Sequence, residues 1–232
     1  MGVYIVDYDG GTPGTLKASG NRGDNVRHTF DEPNYKWNSA YDLYWKDKHT
    51  HIDVYGYYPF ANPESVDSYQ FEVKRDQSKP SENGEMGGYE ASDFLWGKVA
   101  DVAPTTSVIR LPMKHRMANA RVTLVEGSGF AAGEWAGTEK TVLAPNLIRK
   151  ASINLADGTV TANGSVEATA TMPSRSGNEW RAIVVPQTVK AGVTLFSITI
   201  GGVPYKFAKN EAFTYMPGKM SNFSIRVDKK AG

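Results

Sequence analysis

The sequence predicts an all-β protein made of two sandwich domains, and three observations carry that expectation. Gly 23 and Pro 12 accompany 12 Tyr, 9 Phe and 5 Trp. That mix suits a turn-rich β protein, since aromatic and β-branched residues favour pleated surfaces while Gly and Pro set turns. Period-two alternation recurs along the chain, with clusters of turn residues between the runs. At 232 residues the chain suits two domains better than one small sandwich.

Val3 to Val6 open the chain as a strand, followed by the turn cluster Asp9-Gly10-Gly11-Thr12-Pro13-Gly14. Ile52, Val54, Gly56 and Tyr58 alternate against His51, Asp53, Tyr55 and Tyr57, which reads as a strand. Ser78 to Gly88 is long, polar and Gly-rich, so it reads as a surface loop. Helical spacing occurs only from Ala91 to Val99, with Ser92 or Asp93 as cap before Phe94, Leu95 and Trp96. A short helical turn or an irregular loop would serve equally well there. Ala120, Val122 and Leu124 alternate against Arg121 and Thr123. Ala156-Asp157-Gly158 and Asn163-Gly164 are turn signals, and Ile198 to Tyr205 reads as a hairpin around Gly201-Gly202. Phe223, Ile225 and Val227 face one way and Ser224, Arg226 and Asp228 the other, the pattern of a half-buried strand. Glu126-Gly127-Ser128-Gly129 follows a strand with small flexible residues. It divides the chain into residues 1–126, rich in aromatics, and 127–232, richer in Ala, Thr, Val and Gly.

Composition removes several function classes. The 26 basic and 25 acidic residues give a formal charge of +1. No basic field is available to hold nucleic acid by counterion release. There is no cysteine, so disulfides, thiolate metal sites and cysteine nucleophiles are excluded. No window approaches the ~20 apolar residues of a membrane span. The opening Gly2-Val3-Tyr4-Ile5-Val6 has no lead-in, and the expectation is a start inside a longer precursor.

The chemistry-bearing residues form no recognisable catalytic set, and the protein is not expected to be an enzyme. His28, His49, His51 and His115 are the histidines. His49 and His51 would share a strand face, but no third ligand stands at a recognisable spacing, so no metal is expected. Asp7, Asp9 and Gly10 resemble half a calcium loop, yet Leu16 to Gly20 supplies no carboxylate and a plain turn is the better reading. Gly127-Ser128-Gly129 lacks the frame of a nucleophile elbow. Phosphate loops and dinucleotide fingerprints are missing, and no cofactor is expected. Asp42, Asp47, Asp53 and Glu134 could in principle form a glycosidase pair, but nothing selects two of them. Trp37, Tyr41, Tyr44, Trp45, Tyr55, Tyr57 and Tyr58 cluster in sequence. At least half of them are expected in a core, while an exposed coplanar pair would support sugar stacking.

Six phrases in order resemble the fimbrillin-like family, the surface fimbria and pilus subunits of Bacteroidetes bacteria. They are Gly2-Val3-Tyr4, Ile52 to Pro59, Ser92 to Trp96, Leu111 to Val122, Ile183 to Thr188, and Pro217-Gly218-Lys219. The resemblance implies two tandem transthyretin-like Greek-key sandwiches, made as a lipoprotein precursor and carried to the outer membrane and fimbrium. It also implies polymerisation by strand exchange after a protease removes a leading strand, so the first domain is expected to lack its first strand. The chain ends soon after the Phe223 to Val227 strand and has no lipobox cysteine. Those departures point to an accessory, tip or anchor subunit acting in assembly and adhesion.

The assembly residues expected on that basis are Val3 and Ile5, bordering the vacated position, with Phe223, Ile225 and Val227 as core anchors or partner-facing residues. Other fimbrial subunits are the expected partners, with a host or bacterial surface protein or glycan as a further one. Any membrane contact would run through a lipid anchor on the precursor. The alternative reading is a surface glycan-binding module stacking sugar on Trp37, Trp45 and Tyr57.

Overall fold

The structure, a computed structural model, describes residues 1–166 and 170–229. It is nearly all β, as the composition predicts, and the chain divides into two compact units.

The first unit comprises residues 1–71, 94–116 and 152–160. It contains β1 (Gly2–Asp7), β2 (Gly23–Asp31), β3 (Lys36–Ser39), β4 (Ile52–Tyr58), β5 (Tyr69–Glu72), β6 (Leu95–Val102) and β7 (Lys114–His115). All but β5 form one sheet of order β3-β2-β1-β4-β6-β7. β1 runs antiparallel to both β2 and β4 and is buried on both faces, which explains its unbroken apolar run. On one face Tyr4, Tyr57, Tyr69, Phe71 and Phe94 form an aromatic core, with ring centroids 5.2 Å apart for Phe71 and Phe94. On the other, Val3, Ile5, Ile52 and Val54 pack beneath Leu43, Trp45, Val102 and Ile109. Residues 103–113 carry no regular structure and cross this second face. Two glycines make room for them. A Cβ on Gly56 would strike the Leu111 side chain, and one on Gly97 would lie 2.5 Å from the Pro112 carbonyl oxygen.

The second unit comprises, among the described residues, 72–93, 117–151, 161–166 and 170–229. It holds β8 (Ala118–Glu126), the single-turn α1 (Glu134–Gly137), β9 (Lys140–Ala144), β10 (Lys150–Asn154), β11 (Thr159–Ala162), β12 (Ala170–Thr171) and β13 (Ser174–Ser176). After them come β14 (Glu179–Val184), β15 (Gln187–Val189), β16 (Thr194–Ile200), β17 (Val203–Ala208), β18 (Phe213–Tyr215) and β19 (Met220–Val227). β10 and β11 carry the chain out of this unit and back, and with β5 they form a sheet of order β11-β10-β5. Two sheets, β13-β14-β8-β19 and β12-β9-β16-β17, enclose one core, and β15 pairs with β18. Alternate residues of each strand enter that core, including Ala120, Val122 and Leu124 of β8 and Phe223, Ile225 and Val227 of β19. The Gly201-Gly202 hairpin forms as expected, both glycines having positive φ.

One local expectation is met only in part and a second resolves differently. The helical spacing from Ala91 yields only a 3-10 turn at Glu90–Ser92, because Leu95 onward pairs with β4 as β6. Glu126-Gly127-Ser128-Gly129, the expected junction between 1–126 and 127–232, lies within the second unit. β8 sits between β14 and β19, and Gly127 and Ser128 donate to the Val227 carbonyl and the Asp228 carboxylate at 3.0 and 2.7 Å. The compact units interleave along the chain instead of dividing there.

Candidate assembly edge and exposed aromatic hairpin

Among the described residues β19 ends its sheet and pairs, in parallel, with β8 alone. The Lys219 and Val227 carbonyls accept from Asn119 and Gly127 at 2.9 and 3.0 Å. Because backbone groups alternate sides along a strand, the odd-numbered residues face β8. The N–H and C=O groups of Asn222, Ser224 and Arg226 therefore face the open edge. The side chains of Phe223, Ile225 and Val227 point into the core and are no more than 6% exposed. Phe223 is held in an aromatic cage, 4.8 Å from Phe196 and 5.1 Å from Phe213 between ring centroids. They are core residues, and what this strand exposes along its open edge is main chain.

Val3 and Ile5 are placed otherwise than expected. β2 and β4 occupy both sides of β1, so no vacated position borders it. Their side chains, 4% and 8% exposed, floor the second face of the sheet. There, Ile5 and Ile52 underlie a cavity of about 230 Å³ walled by Leu43, Trp45 and Ile109, with Tyr44 at its rim. The indole N–H of Trp45 donates to the Thr105 carbonyl at 3.0 Å, tying together the two irregular segments that form the walls.

The aromatic cluster splits. Tyr55 and Tyr57 are buried, Trp45 and Tyr58 half-buried, and Trp37, Tyr41 and Tyr44 exposed. Tyr57 cannot stack a sugar, because it is 1% exposed and its hydroxyl donates to Asn25 Oδ1 or the Ala61 carbonyl. Trp45 serves as a wall. Trp37 stands on the β2–β3 hairpin opposite Phe30, the rings 5.3 Å apart but tilted by 51°, so the pair is not coplanar. Sequence reasoning passed over the tip of that hairpin. Tyr35, 85% exposed, has a φ of 49° and packs edge-on against Phe30. Only the Pro33-Asn34 turn signal hinted at it.

The remaining candidates are committed to local structure. The Asp53 carboxylate, 1% exposed, pairs with Lys98 at 2.8 Å, accepts from the Asp101 amide at 3.0 Å and from the Tyr55 hydroxyl at 3.2 Å. Burial pushes its pKa up, but Lys98, the Asp101 amide and Tyr8 outweigh that and hold it below the ordinary value. Asp47 caps its own turn through Thr50 and His49, which lowers its carboxyl to about 2. Asp42 accepts from Tyr44, and Glu134 is held by Lys229 and the Ala131 amide. The His51 imidazole meets Asp101 at 2.7 Å. Burial lowers the His28 pKa against the opposing Val26 carbonyl. His115 lies on β7. Among the described residues no three His, Asp or Glu side chains converge as a metal site requires, and no helix is long and apolar enough to cross a membrane. The Asp9-Gly10-Gly11-Thr12 segment closes on itself as a turn, Asp9 and Thr12 exchanging 2.9 Å backbone bonds.

Comparison with known proteins gives a consistent family. A structure from Bacteroides uniformis, a candidate cell adhesion protein, is similar at 16% identity with a TM-score of 0.70, covering 98% of this chain and 86% of that one. A candidate cell adhesion protein from Bacteroides ovatus is similar at 13% identity and a TM-score of 0.67, over 97% of this chain and 81% of that one. A fimbrial protein from the same species matches at 14% identity and 0.50, over 97% and 44% of the two chains. At these identities the likeness speaks for the fold. No curated protein matches the sequence. The sequence pattern described as fimbrillin-like, however, matches residues 2–232, and the chain belongs to that family.

Proposed function

We propose that this protein is a cell-surface fimbrial subunit that joins its neighbours by β-strand complementation and serves adhesion rather than catalysis. The observation that carries the reading is the open edge of β19, an eight-residue strand whose alternate side chains enter the core and whose second row of backbone groups has no strand beside it among the described residues. An incoming strand would gain main-chain hydrogen bonds there without disturbing the Phe223, Ile225 and Val227 packing. Family membership supports other fimbrial subunits as the partners. The similar structures, described as cell adhesion proteins, support adhesion as the role, and an accessory, tip or anchor place is the form of that role proposed here. A lipid anchor on an outer-membrane precursor would be the means of attachment.

The test blocks the edge alone. In S224P the proline removes an N–H that faces outward and leaves the bonds to β8 in place. Surface fibres from producing cells, run on an unboiled denaturing gel, should carry the wild-type chain in detergent-resistant species of high mass. The S224P chain should run as a folded monomer. Equal incorporation of both would refute assembly through this edge.

A further inference from the structure

The first unit carries both an exposed aromatic knob and a socket of matching size, and among the described residues no side chain fills the socket. The knob is Tyr35, at the tip of the β2–β3 hairpin. Left-handed backbone is the province of Gly and Asn, and for a bulky side chain it is a strained exception. Such outliers cluster at functional sites, where the surroundings over-determine them. Here the turn is closed by the Tyr35 amide donating to the Glu32 carbonyl at 3.2 Å, with Tyr35 at a φ of 49°. Phe30, itself packed on Trp37, meets the Tyr35 ring edge-on. With 85% of its surface exposed, Tyr35 fills no cavity of its own chain.

The socket is the 230 Å³ cavity over Ile5 and Ile52. A cavity of about 150 Å³ lined by aliphatic and aromatic groups holds benzene, so this one admits a phenol ring. Its polar rim suits a neutral group with one hydroxyl. Arg22 stands there with its guanidinium already engaged by Asp7 at 2.5 and 3.1 Å, beside Thr105 and Ser107.

We propose that Tyr35 of one copy seats in the Ile5–Ile52 socket of the next. A knob on one surface and a socket on another make a head-to-tail contact, the kind that extends unless rotation closes it. One ring buries about 150–250 Å², far below the ~1,200–2,000 Å² of a self-sufficient interface. The contact therefore acts between copies already held side by side, as a secondary registration device. In a fibre it rests on the proposed β19 contact to hold the copies together, while the knob and socket themselves involve no β19 residue.

The chain has no cysteine, so a two-cysteine test is unambiguous. Asn34 is next to the knob and Ser107 is on the socket rim. Purified N34C and S107C chains are mixed at about 1 mM, the effective concentration that tethering provides, under mild oxidation. Both carry S224P, so that edge assembly plays no part. The mixed disulfide dimer is expected to form at least tenfold faster than that of N34C with K190C, a cysteine placed elsewhere on the surface. Added p-cresol, the free tyrosine side chain, should slow it, and Y35G in the N34C chain should abolish the preference. Because Y35G relieves the left-handed strain, its loss cannot be ascribed to misfolding. Equal rates for the two mixtures, or a rate indifferent to p-cresol or to Y35G, would overturn the proposal.

Discussion

The buried polar residues Asp53, Gln77 and Ser92 are each held by specific hydrogen bonds, and Asp53 shows how sharply such a role can be tested. Removing one partner of a buried ion pair strands the other charge, so K98M should cost about 3 kcal/mol in denaturant unfolding. It also removes the ammonium that lies 4.7 Å from the Tyr55 ring centroid. The pH dependence follows from a folded-state pKa held below the ordinary 3.8. The pair's contribution is present above that value and is lost as pH falls through the folded one. Stability measured from pH 5 to pH 2 should therefore fall more steeply for wild type than for K98M. Little of this was legible in the sequence, where Asp53 was one acid among 25. Alternation put it on a strand, but its partners arrive from Lys98 and Asp101, far along the chain. Tyr35 was missed for a related reason: composition names the aromatic but not its backbone angle.

At the scale of elements, side chains complete what strands leave open. Gln77, 1% exposed, holds Ile183 of β14 like a one-residue strand. Its amide nitrogen donates to the Ile183 carbonyl and its oxygen accepts from the Ile183 amide, both at 2.8 Å. Replacing it by alanine strands two buried backbone groups, so Q77A should cost about 2–4 kcal/mol by thermal or denaturant unfolding. The amides around Ile183 should lose their exchange protection first. Strands with clean alternation, such as β8 and β19, were readable from the sequence because each buries every second side chain. Ala91 to Val99 was ambiguous because short apolar runs fit either period. Pairing with β4 decided it. The irregular cover of residues 103–113 had no periodic signal at all. Its place is set by what Gly56 and Gly97 lack, and absent side chains leave no pattern to read.

For the whole molecule, family and fold class followed from the sequence, whereas the partition and the open edge did not. The small residues after β8 looked like a linker because flexibility and close packing call for the same residue type. Gly127 serves packing: a Cβ there would lie 2.5 Å from the Val227 carbonyl oxygen. The place of β1 between two neighbours and of β19 at an edge depends on strand order, which alternation along single strands cannot encode. The central claim is that assembly occupies the free side of β19. It is tested most directly by residue-resolved hydrogen exchange on the chain before and after incorporation into fibres. Protection should rise at the amides of Asn222, Ser224 and Arg226 and stay unchanged at Phe223 and Ile225, whose N–H groups already face β8. Incorporated chains whose three outward amides exchange as fast as in the free subunit would contradict it.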